Sequence, residues 1–302
     1  MLLELSGFTF AHDPTIVKEK DTYYKFCTGF GIPICTSKDL HSWSFTGRSV
    51  FSISPKWIKD KVPKCRKLDF WAPEVVKRNG MWRIYYSVST FGNNRSAIGL
   101  AQNKTLDHSS KEYKWQDLGI VIDSTPTRNY NAIDAAVCAN EQGDDFLLFG
   151  SFWSGLQLVP LNENGFIKED SAILNIASRQ TQPKPIEGGF IFYHENFFYL
   201  FASHDFCCRG TASSYHIVVG RSEKISGPYF DQFGVDMKNG GGTTLRDGFS
   251  YKRWAGPGHN SVFTDDNGKT FIVYHAYDRE DEGKSKLQIE EIQWKEGWPF
   301  LK

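Results

Sequence analysis

Long apolar runs are missing from this 302-residue chain. No stretch approaches the ~18 consecutive apolar residues that a bilayer-crossing helix needs, so no membrane partner is expected. Net charge is missing as well: lysine plus arginine and aspartate plus glutamate both total 35. Nucleic acid normally calls for a basic face, and a balanced chain argues against that partner. Helical periodicity is scarce, so the long helices that parallel βα units require are not supplied. The opening MLLELSGFTFAHDP carries Glu4 and has no basic segment, unlike a secretory leader. The expectation is a cytoplasmic protein, or a secreted one whose leader lies outside this sequence.

Paired cysteine spacing is also lacking. Six cysteines stand at positions 27, 35, 65, 138, 207 and 208, with no CxxC pattern, which argues against a zinc site and a dithiol redox motif. Cys207 and Cys208 are neighbours and read as poorly placed to bridge each other. Buried, reduced thiols are therefore expected, in keeping with a reducing compartment.

What the chain has is aromatic rings, 15% of its residues, including 24 phenylalanines. Such residues favour strands, and exposed rings also stack on flat apolar ligands such as sugar faces. Strand signals recur as TYYKFCTG, MWRIYYSVS, DFLLFGSFW, FFYLFASHD and TFIVYHAYD. Anchored on Tyr23, Trp82, Phe146, Phe198 and Phe271, they lie 59, 64, 52 and 73 residues apart. A second strand signal follows each one, with Gly, Asn or Asp at most turns. Five units of several antiparallel strands fit an all-β fold, a five-bladed β-propeller, better than a large two-sheet sandwich.

Upstream of each anchor the units read AHDPTIV, FWAPEVV, AIDAAVC, PIEGGFI and PGHNSVF. Aligned on their third residues they place Asp13, Ala72, Asp134, Glu187 and His259 at one position. The innermost strands of a propeller line its axis, so these side chains are expected to converge. Taken singly, Asp13, Asp134 or Glu187 reads equally as a turn former; the shared register favours function. Gly188 and Gly189 would let the chain pack closely beside the axis. Two carboxyl groups about 6.5–9.5 Å apart hydrolyse a glycosidic bond with inversion, one as acid and one as base. A third acid beside the donor raises its pKa by like-charge repulsion. Trp71, Phe91 and Trp153 would supply sugar platforms, with core packing the alternative for each.

These blocks carry a family resemblance. HDP, FWAPE, YNAIDAAV, GSFWSG, IEGGF, FASHDFCCRGTASSYHIVVGRS, GGGTTL, RWAGPGHNSV, YHAYD and EGWPFL span almost the whole chain. The chain is identified as a member of glycoside hydrolase family 43, most similar to its arabinan endo-1,5-α-L-arabinanases. The resemblance implies one catalytic propeller domain over residues 1–302 and inverting cleavage of α-1,5-linked L-arabinofuranose chains. It implies Asp13 as general base, Glu187 as general acid and Asp134 as the acid that orients and tunes the donor. His259 matches a histidine beside a central, largely water-coordinated calcium ion, and Arg209 and His275 match substrate contacts. A monomer is favoured. Two departures bear on specificity: Gly188-Gly189 stands where Ala-Pro is common, and His204 stands where an aromatic is usual and an imidazole near the cleft would alter the pH profile or subsite preference. The alternatives are an exo-acting α-L-arabinofuranosidase or β-xylosidase of the same family, or a carbohydrate-binding propeller without turnover.

Overall fold

Period-two runs of aromatic and β-branched residues become antiparallel strands in the computed structural model, which describes residues 1–302. The strands form five radial sheets and, at the C-terminus, a two-stranded hairpin of Gln293–Lys295 with Trp298–Phe300. Their innermost strands are Thr15–Glu19, Asp69–Arg78, Ala136–Ala139, Ile186–His194 and Trp254–Thr264, and each pairs with the strand that follows it. The blades of the expected propeller are thus present in sequence order. The single α-helix is the short Trp57–Lys61.

Closure falls to the N-terminus. The fifth blade supplies three strands of its own, ending in Lys284–Glu291. Residues before the first blade complete its edge: Leu3 N–H donates to Ile289 O at 2.9 Å, and Leu287 N–H donates to Thr9 O at 2.8 Å. The N-terminal segment thereby pairs with the outer edge of the three-stranded fifth sheet, which would otherwise be left bare. A buried core beneath this seam mixes Ala11, Ile16 and Trp43 with Val273, Leu287 and Ile289. The fully buried Lys25 ammonium pins the same segment, donating to Phe8 O at 3.2 Å and Phe10 O at 2.6 Å. Burying a cation is expensive unless it is hydrogen-bonded; the two carbonyls meet that need, and burial still lowers the lysine's pKa.

Strand register corrects one alignment. The cross-strand pairs Thr15–Phe26, Glu74–Tyr85, Ala136–Leu148, Phe190–Phe201 and Ser261–Val273 are equivalent in the five blades. Two residues before the inner member of each pair stand Asp13, Ala72, Asp134, Gly188 and His259. Their φ angles are 51°, 43°, 60°, 56° and 51°, all in the left-handed region. Gly188, not Glu187, is therefore the fourth blade's equivalent residue. Glu187 sits one place earlier, level with His12 in the first blade. The shared kink is a backbone property, and residue type alone did not reveal it.

Candidate active site

The kinks deliver the acids to one place. Asp13, Asp134, Glu187 and His259 all line a cavity of about 1130 Å³, together with Trp71, Phe91, Trp153 and Arg209. The expected convergence is found, with residues from four different blades.

Asp13 is surrounded by imidazoles. Its Oδ2 accepts from Thr28 Oγ1 at 2.5 Å and pairs with His12 Nδ1 at 2.8 Å. Its Oδ1 is 3.2 Å from His259 Nδ1. Burial acts to raise this carboxyl's pKa, but His12, then His259 and His275, outweigh it and hold the group below the usual carboxylate range. The other two acids behave oppositely. Glu187 is raised, first by burial and further by Asp13, although Ser151 Oγ donates to its Oε2 at 2.5 Å and the Tyr215 hydroxyl donates to its Oε1 at 3.0 Å. Asp134 is raised well above its ordinary value by burial and then by the Glu187 and Asp13 charges. Its Oδ2 accepts the Gly188 N–H at 3.2 Å. Thus the surroundings favour the ionised form of one carboxyl and the protonated form of a neighbouring pair, the division of labour that acid and base catalysis requires.

A ring of bonds between blades holds this geometry. Thr28 Oγ1 accepts from Ala72 N–H (2.8 Å), Ser87 Oγ from Asp134 N–H (3.0 Å) and Ser203 Oγ from His259 N–H (2.7 Å). His275 Nδ1 accepts from Asp13 N–H (3.1 Å) and closes the ring. At the remaining junction Ser151 bonds the Glu187 carboxylate instead, which leaves the Gly188 N–H for Asp134. The glycines follow from this crowding. A Cβ on Gly188 would lie 3.1 Å from His259 Nδ1, and one on Gly189 would lie 2.8 Å from Leu156 Cδ1.

Several expectations need correction. His275 is fully buried beneath Asp13, with its ring 4.0 Å from that of His12, and is not among the cavity's lining residues. An imidazole that accepts the Asp13 N–H is a positioning group, not a substrate contact. His204 is also buried and turned away from the cavity. Its Nδ1 accepts from Arg179 Nη1 at 2.5 Å, and burial followed by the Arg179 charge pushes it down to about 2. It therefore stays neutral near pH 7 and leaves the pH profile to other groups. Cys207 and Cys208, expected to be reduced, form a disulfide with each other. The other four cysteines are free.

Sequence reasoning missed His12, Ser151, Thr28 and Tyr215. A signal was present for two of them: Thr28, Ser87, Ser151 and Ser203 each stand five residues beyond the unit's aromatic anchor. His12 lay inside the HDP block, overshadowed by its acid. Tyr215 had no periodic signal, because it approaches from the residue just before the third strand of its blade, His216–Ser222.

For a cation beside His259, the donor set fits a hydrated ion and not one ligated wholly by protein. His259 supplies a single imidazole. Next to it, both amide atoms of Asn260 are buried without a protein partner, as is His275 Nε2. Oxygen-preferring cations accept such water-mediated surroundings.

Comparison with known proteins agrees with this geometry. Residues 7–299 match the family model for glycosyl hydrolases family 43. The extracellular exo-α-(1→5)-L-arabinofuranosidase of Cellvibrio japonicus is 44% identical over 95% of this chain and 85% of its own length. The extracellular endo-α-(1→5)-L-arabinanase 1 of Bacillus subtilis is 39% identical over 95% of this chain and 86% of its own. The structure of Cellvibrio cellulosa α-L-arabinanase with arabinohexaose superposes with a TM-score of 0.93 at 41% identity, covering 97% of this chain and 95% of that one. Both curated relatives are extracellular, so the expectation of a cytoplasmic protein finds no support. With its acids on the axis of five blades and this likeness along nearly its full length, the chain belongs to glycosyl hydrolase family 43.

Proposed function

We propose that this enzyme cleaves internal α-1,5-linked L-arabinofuranosyl bonds of arabinan with inversion. The reading rests on one observation above all: three carboxyls share a cavity, with Asp13 shifted down and the Asp134–Glu187 pair shifted up. Glu187 donates its proton to the leaving glycosidic oxygen. Asp13 takes a proton from the water that attacks the opposite face of the sugar. Asp134 orients the Glu187 segment by accepting the Gly188 N–H, and repulsion between the two carboxyls opposes their ionising together. The Ser151 and Tyr215 hydroxyls fix the donor's two oxygens, so the proton transfer needs little reorganisation. Trp71, Phe91, Trp153 and Arg209 serve as substrate contacts along the cavity wall. These acids argue against a carbohydrate-binding propeller without turnover, because binding alone needs no paired donor and base.

Endo action is preferred to exo because arabinanases recur among the relatives and the solved structures. Product analysis tests it: linear arabinan should yield a spread of oligosaccharides, whereas monosaccharide alone would favour the exo alternative. A hydrated calcium ion near His259 would add positive charge beneath the acids, with Asn260 meeting its water shell. Chelation should then lower the melting temperature as well as bound calcium measured by emission spectroscopy, and no change in either would remove the ion from the reading. Action outside the cell is supported by the extracellular relatives and by the disulfide.

A further inference from the structure

The one disulfide in this protein joins adjacent residues, Cys207 and Cys208. A crosslink stabilises a fold mainly by closing a loop in the unfolded chain, and more for longer loops. Neighbouring residues enclose no loop, so stapling is a poor account of this bond.

Its position offers a better account. Both cysteines line the cavity that holds Asp13, Asp134 and Glu187, and Cys208 is exposed there. Cys208 Sγ lies 3.7 Å from His12 Nε2, and His12 Nδ1 is the 2.8 Å partner of Asp13. The sulfurs therefore stand one side chain away from the base. The turn is firmly held: Cys208 N–H donates to the Tyr277 hydroxyl at 2.8 Å, and Arg209 N–H donates to Ser213 Oγ at 3.0 Å. The same hydroxyl lies 3.1 Å from His12 Nε2. Phe206 extends the wall, with Arg209 stacked 4.4 Å over its ring. Oxidised, the pair shows the cavity two polarisable sulfurs and no hydrogen-bond donor, a surface suited to the C–H face of a sugar ring. Reduced, it becomes two separate thiols, each a weak donor, with the turn no longer clamped.

We propose that the Cys207–Cys208 disulfide is part of the sugar-contacting wall, an apolar sulfur face on which an arabinofuranose ring packs beside Asp13, and that substrate affinity depends on its being oxidised. This rests on the arabinan reading given above. Reduction is balanced by a water-soluble phosphine: the disulfide takes up two electrons and two protons, and the phosphine becomes its oxide with oxygen from water.

The test compares oxidised and phosphine-treated enzyme, with thiol titration confirming that two further thiols appear. Hydrolysis of linear arabino-oligosaccharide should show KM raised about three- to tenfold with kcat changed less than about twofold, the scale of a lost sulfur contact. Calorimetric binding of arabinohexaose to Glu187→Gln protein should weaken by the same factor on reduction, and the melting temperature should stay put. The double variant Cys207→Ala/Cys208→Ala should bind like reduced enzyme and ignore the phosphine. Unchanged KM in fully reduced enzyme overturns the proposal. So does a phosphine effect that persists in the double variant, or a loss of affinity that only tracks a fall in melting temperature. If oxidised wild type fails to cleave any arabinan, the function itself falls, and that result is separate from any redox effect.

Discussion

At four of the five blade junctions a side chain from one blade accepts a backbone N–H from the next; at the junction between the third and fourth blades it donates to a carboxylate instead. The four regular junctions are structural devices. They satisfy the N–H of a left-handed residue that has left its strand ladder, and a buried N–H without a partner is costly. The irregular junction gives that up. Ser151 turns to Glu187, and the stranded Gly188 N–H is taken by the Asp134 carboxylate. One substitution of partner thus tethers the donor and its neighbouring acid together. The repeat teaches where the chemistry is by where it is broken.

The largest test removes the donor at the irregular junction and the base carried by the first blade. Glu187→Ala and Asp13→Ala should each lower kcat on linear arabinan by about 10²–10⁴-fold. They should differ with an aryl arabinofuranoside whose leaving group needs no proton: Glu187→Ala should regain much of its rate and Asp13→Ala should not. Equal behaviour on both substrates would falsify the assigned donor.

Smaller, but more pointed, is Ser151→Ala against Ser203→Ala. The first should lower kcat on arabinan about ten- to a hundredfold, the scale of a hydrogen bond to a charged group, with KM little changed and Ser151→Thr restoring most of it. Ser203→Ala should chiefly lower the melting temperature and reduce both substrates' rates alike. If the two variants cannot be told apart, the distinction between junctions carries no functional meaning.

pH dependence separates the base from the donor. Asp13 is held below the usual range, so its base form persists as pH falls and the acidic limb lies low. Glu187 is raised, so its proton persists as pH rises and the alkaline limb lies above the ordinary glutamate value. His12→Asn removes the strongest of the lowering influences on Asp13, so the acidic limb of kcat/KM should move to higher pH while the alkaline limb moves less. An acidic limb that stays in place would show that His12 does not tune the base.

The smallest effect expected is on stability. Gly188→Ala places a Cβ at φ 56° against His259, whereas Ala72 already carries one at φ 43°. A left-handed alanine costs roughly 1–2 kcal/mol, so the melting temperature should fall by about 2–4 °C. An unchanged melting temperature would mean that neither the left-handed backbone at 188 nor the approach to His259 carries a cost.

Much of this site was legible in the chain. Asp13, Asp134, Glu187 and His259 fall in blocks that repeat with the strands, and Trp71, Phe91, Trp153 and Arg209 do line the cavity. The register of Glu187 was misjudged because the fourth blade carries its acid one place before the left-handed residue, which here is Gly188 and has no side chain to mark the position; the bulge that follows is shared with the second and fifth blades. His275 and His204 were misplaced for a related reason. Both lie on strands whose alternation decides which way a side chain points, and a single sequence does not show which face meets the cavity. The disulfide escaped notice because adjacent cysteines bridge only when the turn between them takes an unusual shape, here with Cys208 at φ 64°.

The sequence by itself determined the strands, their fivefold recurrence and the supply of acids, because hydrophobic alternation and turn residues act locally. Tertiary structure alone decided which groups surround each acid. Charges and hydrogen bonds fall off over a few ångströms in space, and the residues within that reach of Asp13 come from positions as distant as His259 and His275. Nothing along the chain encodes that proximity except the closure of the ring.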